Sequence, residues 1–219
     1  MKKLVLTGAG GRLGSYLREP LTKMCDELIS TDQVEDLGKL YPGEQYIKAD
    51  LGALNEMEAV IEGAEMVVHF GAIGDEAAWN AILHSNIVGS YNVWEAAARA
   101  GVRRVIYASS IHAVGMYPKN QRIDTEVPHR PDTYYGLAKC FSEDLGSLYW
   151  DKKGIESVHM RILSAAQVNN ARSLGTWQSY DDVIHMVQCA INSPVTGFSI
   201  IYGVSNNCLL YTSDAADDP

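Results

Sequence analysis

Thr7-Gly8-Ala9-Gly10-Gly11-Arg12-Leu13-Gly14 is the stretch that decides the fold. It joins an apolar run, Lys3-Leu-Val-Leu-Thr7, to a segment of helical spacing from about Arg12 to Thr22, with Leu13, Tyr16 and Leu17 on one side. A strand, a glycine turn and a helix in that order make a nucleotide loop. Gly8 permits the tight turn, Gly11 lets backbone approach a pyrophosphate, and Gly14 lets helix and strand pack closely. The helix start then offers free N–H groups and a positive dipole end to phosphate. Leu13 counts with the glycines as a cofactor-binding position, and Arg12 reads equally as a pyrophosphate contact or a solvated arginine.

Outward from the loop, strands and helices alternate. Glu27–Thr31 reads as a second strand ending at Asp32, and Gln45–Lys48 as a third ending at Asp50. A short helix over Leu54–Ile61 precedes Met66–Phe70, a strand apolar almost throughout, as in a sheet covered on both faces. A long helix from about Ala81 to Arg99 closes at Gly101, followed by a strand over Arg104–Ala108. Then come a helix over Tyr134–Lys152 ended by Gly154, a strand over Ser157–Arg161, a helix over Tyr180–Ile191 and a strand over Phe198–Tyr202. Strands alternating with helices of this length imply βαβ units. The expected fold is α/β: a Rossmann-like, doubly wound parallel sheet of about seven strands. Residues 1–207 read as one such domain. The stretch 208–219 ends in Asp-Ala-Ala-Asp-Asp-Pro, continues no element, and is set aside as an artefact.

Asp32 stands 18 residues beyond Gly14, at a strand end where a carboxylate takes both adenosine ribose hydroxyls. It would repel a 2′-phosphate, and Gln33 brings no positive charge to reverse that, so NAD is favoured over NADP. Asp50 and Leu51, after the third strand, are expected against the adenine.

The chemistry-bearing pair is Tyr135-Gly-Leu-Ala-Lys139. Residues four apart share a helix face, and a cation beside a phenol favours the phenolate. Tyr135 is therefore the candidate general base for a substrate hydroxyl, with Lys139 as its helper. Ser110 follows the fifth strand at the carboxyl edge of the sheet, where ligands bind in such folds, and could bond the same oxygen.

Composition excludes other classes. The 219 residues carry 18 basic against 27 acidic side chains, a net charge of -9. That balance, with no basic cluster, argues against nucleic acid. No run of about 20 apolar residues suggests a membrane span, and the start passes directly into a strand pattern without a leader. Cys25, Cys140, Cys189 and Cys208 lie far apart and read as reduced thiols, so a cytoplasmic chain is expected. His84, His129, His159 and His185 have no metal-ligand spacing, and no metal is expected. His69 reads as packed within the fold, and Trp79, Trp94, Trp150 and Trp177 as core or interface residues.

Together the glycine loop, the Tyr-Lys pair and the serine resemble the short-chain dehydrogenase/reductase superfamily, in its extended branch of NAD-dependent epimerases and dehydratases. Asn86 in Asn-Ile-Val-Gly-Ser-Tyr-Asn resembles the asparagine that orders that branch's fourth helix. Arg122–Asp132, Tyr135–Tyr149, Ala108–Gly115 and Gly175–Asp182 narrow the likeness to the uronate dehydrogenases, over roughly residues 3 to 206. Members oxidise the anomeric carbon of galacturonate or glucuronate with NAD+, giving an aldarolactone.

The resemblance implies roles residue by residue. Tyr135 is the base, and Lys139 assists it and binds ribose. Ser110 and His112 meet substrate oxygens, Ser164 is a further substrate contact, and Arg172 holds the uronate carboxylate with its guanidinium fork. These segments, around residues 160–180, form a small C-terminal substrate lobe. Family chains run longer, so part of that lobe is expected to fall outside this chain. Two positions depart from the pattern: Gly74 stands where the family has serine, and Ile111 where it has asparagine. Two other functions compete, a nucleotide-sugar epimerase or dehydratase and a non-catalytic NAD-sensing protein. The former needs a larger C-terminal lobe, and the latter typically lacks the Tyr-Lys pair. The two long helices match those that pair subunits in the superfamily, which implies a homo-oligomer.

Overall fold

A computed structural model describes residues 1–118, 120–165 and 174–207. Arg172 and the stretch 208–219 lie outside the described residues. The strands are β1 (Lys3–Thr7), β2 (Glu27–Asp32), β3 (Glu44–Lys48), β4 (Met66–His69), β5 (Arg104–Ser110), β6 (Glu156–Ile162) and β7 (Phe198–Gly203). They form one sheet in the order β3-β2-β1-β4-β5-β6-β7. Every pairing is parallel. The helices are α1 (Gly14–Thr22), α2 (Leu54–Ile61), α3 (Trp79–Ile82), α4 (Gly89–Ala100), α5 (Tyr134–Lys153) and α6 (Tyr180–Asn192).

The period-two alternation of β1 sorts its side chains between two cores. Leu4 and Leu6 join Leu28, Val68, Ile106 and Met160 beneath α1 and α6, with Leu17, Leu21, Val183 and Val187. Val5 joins Ile29, Val67, Val105 and Tyr107 on the other face, against Met57, Val93, Trp94 and Leu145 of α2, α4 and α5. Each fully buried Leu or Val contributes about 1.5–3 kcal/mol through removal from water. Both faces are thus covered, as the continuous apolar strands require.

The long helix expected over Ala81–Arg99 is not one regular helix. A π-helical turn, Leu83–Val88, separates α3 from α4. α1 starts at Gly14 rather than near Arg12, and its buried face is Leu17, Arg18 and Leu21. Tyr16 instead faces outward and stacks on Tyr180 at 3.9 Å. The buried face takes in Arg18, whose guanidinium meets buried Glu44 with both Nε (2.7 Å) and Nη2 (3.0 Å).

Local chemistry sets the helix ends. Thr133 Oγ1 accepts the Gly136 N–H at the start of α5, and Gly154 closes it in the left-handed region. Ser179 Oγ accepts the Asp182 N–H at the start of α6. At its other end, buried Arg104 donates to the carbonyls of Ala190, Ile191 and Ser193 while paired with Glu156. A cation there meets the negative end of the helix dipole.

Candidate active site

The glycine loop sits against the carboxyl ends of β1 and β4. Gly8 adopts φ +73°, and a Cβ there would lie 2.6 Å from the Gly71 backbone nitrogen. A Cβ at Gly14 would stand 2.0 Å from the Gly8 carbonyl oxygen. Both positions admit glycine alone, and the close approach brings the α1 N-terminus over the strand. Among the described residues, the Arg12 and Leu13 amides donate to no protein acceptor. They form, with the open loop backbone, a cradle suited to a pyrophosphate.

Asp32 closes β2 beside this cradle. Its Oδ2 accepts the Gly10 N–H at 2.9 Å and its Oδ1 the Gln33 N–H at 2.7 Å. The loop backbone therefore fixes the carboxylate where a ribose diol would meet it. Gln33 then reaches Asp50 Oδ1 at 2.7 Å. Asp50 also takes the Gly52 N–H and the His84 ring. Burial pushes its carboxyl up, but these three partners together hold it below the usual carboxylate range. Leu51 packs under the Gly71 backbone and accepts the Asn92 amide through its carbonyl. The donor set, the cradle and the carboxylate pair fit a dinucleotide.

Three strands away, β5 and α5 bring the chemical residues together. Tyr135 opens α5 nearly buried, and the Lys139 ammonium lies 5.2 Å from its ring centroid. Lys139 Nζ donates to the Ala108 carbonyl at 2.6 Å and stands 4.7 Å from the Tyr107 ring. Burial lowers the affinity of this amine for its proton, opposed by the charges of Tyr135 and Glu143. Ser110 ends β5, and its Oγ accepts the His112 N–H at 3.3 Å, capping the 3-10 turn Ile111–Val114. The His112 ring stands edge-on to Tyr135 at 5.6 Å and bonds Asp132 through Nδ1 at 2.8 Å. Among the described residues, no hydrogen bond engages the Tyr135 hydroxyl, so it is available to a ligand.

Ser164 lies two residues past β6, which pairs with β5 through Ser110 and Ile162. It bridges to Trp177, and its hydroxyl bonds that of Thr176 at 2.8 Å. Gly74 faces open space, so a larger side chain would fit there. His69 is fully buried, bonded to Thr7 Oγ1 at 2.7 Å, and burial pushes its imidazole down to about 3. It is a packed histidine.

Asn86, which the resemblance singles out, orders this neighbourhood, while Glu76 and Glu143 escaped the sequence reading. Asn86, on the π-helical turn, accepts the Ile73 N–H and donates to its carbonyl, fixing the loop that carries Gly74. Glu76 accepts the Tyr135 N–H at 2.9 Å from that same loop. Glu143 lies one turn beyond Lys139 and is fully buried. The spacing Tyr135, Lys139, Glu143 repeats every four residues, a signal that would have placed all three on one face.

The family model for the NAD dependent epimerase/dehydratase family matches residues 4–170. Uronate dehydrogenase of Pseudomonas putida is 42% identical over 206 residues, 94% of this chain and 77% of the relative. The solved structure of glucuronic acid dehydrogenase from Chromohalobacter salexigens superposes with a TM-score of 0.91 at 38% identity, covering 98% of this chain and 82% of that one. Uronate dehydrogenase from Agrobacterium tumefaciens, solved as a tyrosine-to-alanine mutant complexed with NAD, gives 0.89 at 39% identity, with 94% and 77% covered. With the glycine cradle and the Tyr-Lys helix, these likenesses establish that the chain belongs to the NAD dependent epimerase/dehydratase family and, within it, to the uronate dehydrogenases.

Proposed function

We propose that the protein is an NAD-dependent oxidoreductase that oxidises a hexuronic acid, galacturonate or glucuronate, at C1 to the aldarolactone. The observation that carries this is the meeting of Tyr135, whose hydroxyl has no hydrogen-bond partner among the described residues, with buried Lys139, Ser110 and His112 at the carboxyl edge of β5. NAD, when bound, would supply the acceptor for the hydride that leaves C1. Gly8, Gly11, Arg12, Leu13 and Gly14 would hold its pyrophosphate, Asp32 its adenosine ribose, and Asp50 and Leu51 its adenine. Tyr135 takes the proton of the C1 hydroxyl, and the Lys139 ammonium attracts the phenolate charge. Ser110 orients that hydroxyl, His112 and Ser164 bind further sugar oxygens, and Arg172 pairs with the carboxylate. Holding the reactants in contact geometry supplies much of the rate.

Among the described residues, no helix is long and apolar enough to cross a membrane. The unpaired thiols of Cys25, Cys140 and Cys189 suit a reducing, cytoplasmic setting. The chain assembles as a homo-oligomer through the outer faces of α4 and α5, where Tyr91, Leu137 and Leu148 stand exposed.

NADH formation followed by absorbance, with galacturonate, glucuronate, galactose and glucose each offered with NAD+, tests the reading. Turnover of the acids and not of the neutral sugars is expected, and silence with both acids in a folded, NAD-binding protein overturns it. Tyr135→Phe is expected to lower turnover at least about a hundredfold, the low end of general-base contributions, with NAD affinity little changed by calorimetry.

A further inference from the structure

Glu143 fills all its acceptor sites inside the protein. Oε1 takes Ser109 Oγ at 2.6 Å and Arg161 Nε at 3.0 Å. Oε2 takes Arg161 Nη2 at 2.7 Å and His129 Nε2 at 2.7 Å. Ser109 and Arg161 belong to β5 and β6. His129 does not: it comes from the irregular connection between the 3-10 turn and α5. That connection returns to the site immediately afterwards. Arg130 N–H donates to the Ala113 carbonyl, and the Arg130 carbonyl accepts the Met116 N–H, both at 3.0 Å. Two residues on, Asp132 bonds His112. Residues 129–132 thus run from a buried carboxylate on the Tyr135 helix to the histidine that faces Tyr135.

We propose that His129 is a positioning residue: its bond to Glu143 pins this strap, and the pinned strap sets the His112 ring through Asp132. The inference rests on the proposed role of His112 in meeting the sugar. The groups facing His129 are Glu143 and Asp144 of α5, the latter 3.6 Å from Nδ1, and Arg161 of β6 behind Glu143. Glu126, three residues before His129, lines with Phe198 and Ile200 of β7 the same cavity of about 370 Å³, which opens His129 to solvent. Tyr202 of β7 lies against Arg161. The bond to Glu143 raises the imidazole above its ordinary 6.5, with partial burial opposing. The charged ring donates from Nε2 to Glu143 and is attracted to Asp144 without a hydrogen bond. A neutral ring keeps one N–H and loses the charge assistance, so the pin weakens as pH rises through that raised value.

The test compares wild type with His129→Gln and His129→Arg. In wild type the KM for uronate rises with pH as His129 loses its proton. In His129→Gln it is raised, roughly five- to tenfold, already at low pH, while the KM for NAD is unchanged. His129→Arg keeps the cation, and its uronate KM stays near the wild-type low-pH value. Imidazole NMR titration of the unliganded protein gives a second readout, since the His112 resonances must report the His129 titration and lose that inflection in His129→Gln. A wild-type KM profile in His129→Gln, or His112 resonances unaltered by that substitution, overturns the proposal. A wild type inactive on uronates overturns the substrate reading instead, and the NMR comparison still decides the pin.

Discussion

At the scale of single residues, the site depends on contacts that leave almost no room. Gly14→Ala would drive a Cβ to 2.0 Å from a backbone oxygen that cannot rotate away. A loss of at least about 2 kcal/mol is expected, read as a fall in Tm together with loss of NAD binding by calorimetry. Asp32→Asn is gentler, because an amide oxygen can still accept the Gly10 N–H that now ends on Oδ2. The charge is lost, and with it the acceptor for the Gln33 N–H, because the amide NH2 takes the place of Oδ1. The preference for NAD over NADP should then narrow by roughly five- to tenfold, since a charge pair near 4 Å at a hydrated surface is worth about 1 kcal/mol or more. Steady-state kinetics with both cofactors measures it, and an unchanged ratio would free Asp32 of that role. Gly74→Ser enters open space. One added hydrogen bond of about 1 kcal/mol would lower the uronate KM roughly fivefold.

At the scale of elements, α5 carries both the proposed base, Tyr135, and the buried carboxylate Glu143. Burial alone would push the Glu143 carboxyl up, but His129, Arg161 and Ser109 together push it down to about 2 from an ordinary 4.5. A carboxyl depressed by folding stabilises fully above its unfolded-state value and ceases to do so as pH falls through its folded value. The protein is therefore expected to lose a few kcal/mol between about pH 5 and pH 2 from this group. Thermal denaturation across that range shows the slope in wild type. In Glu143→Gln it flattens, from a neutral-pH stability already lower because Arg161 is left buried without its counter-charge. How much of this was legible follows from distance along the chain. Tyr135 and Lys139 are four apart, and the glycines three apart, so local spacing exposes them. The strand Lys3–Thr7 and the helix Leu54–Ile61 stand where their apolar periods put them. The π-helical turn at Leu83–Val88 stayed hidden because one wide turn hardly disturbs the hydrophobic pattern. The donors to Glu143 arrive from His129, Arg161 and Ser109, on three other segments, and no local spacing announces them. Tyr16 was misplaced for a related reason: the face that α1 buries takes in Arg18, held by an acid 26 positions away.

At the scale of the whole molecule, the sheet carries the candidate site residues at its carboxyl edge and its buried Arg104–Glu156 pair at the other. Leu137 and Leu148, eleven residues apart and so on one face of α5, stand exposed, as does Tyr91 of α4. Light scattering is expected to show an oligomer that the double substitution Leu137→Glu, Leu148→Glu takes apart. A monomeric wild type would remove that proposal without touching the chemistry. The strand order β3-β2-β1-β4-β5-β6-β7 has a consequence in time as well as in space. After β1, every strand joins at a free border: β2 and β3 on one side, β4 through β7 on the other. No strand must wedge between two that are already paired. A ribosome delivering the chain from its amino end can therefore lay the sheet down in the order of synthesis, with β1 to β4 closing the nucleotide half before β6 emerges. Only the return from β3 to β4 spans a distant partner, and the slow step of such parallel sheets is expected there. Pulsed hydrogen exchange during refolding should find the amides of β1 and β4 protected ahead of those of β6 and β7, and the reverse order would show that the sheet grows from its other side.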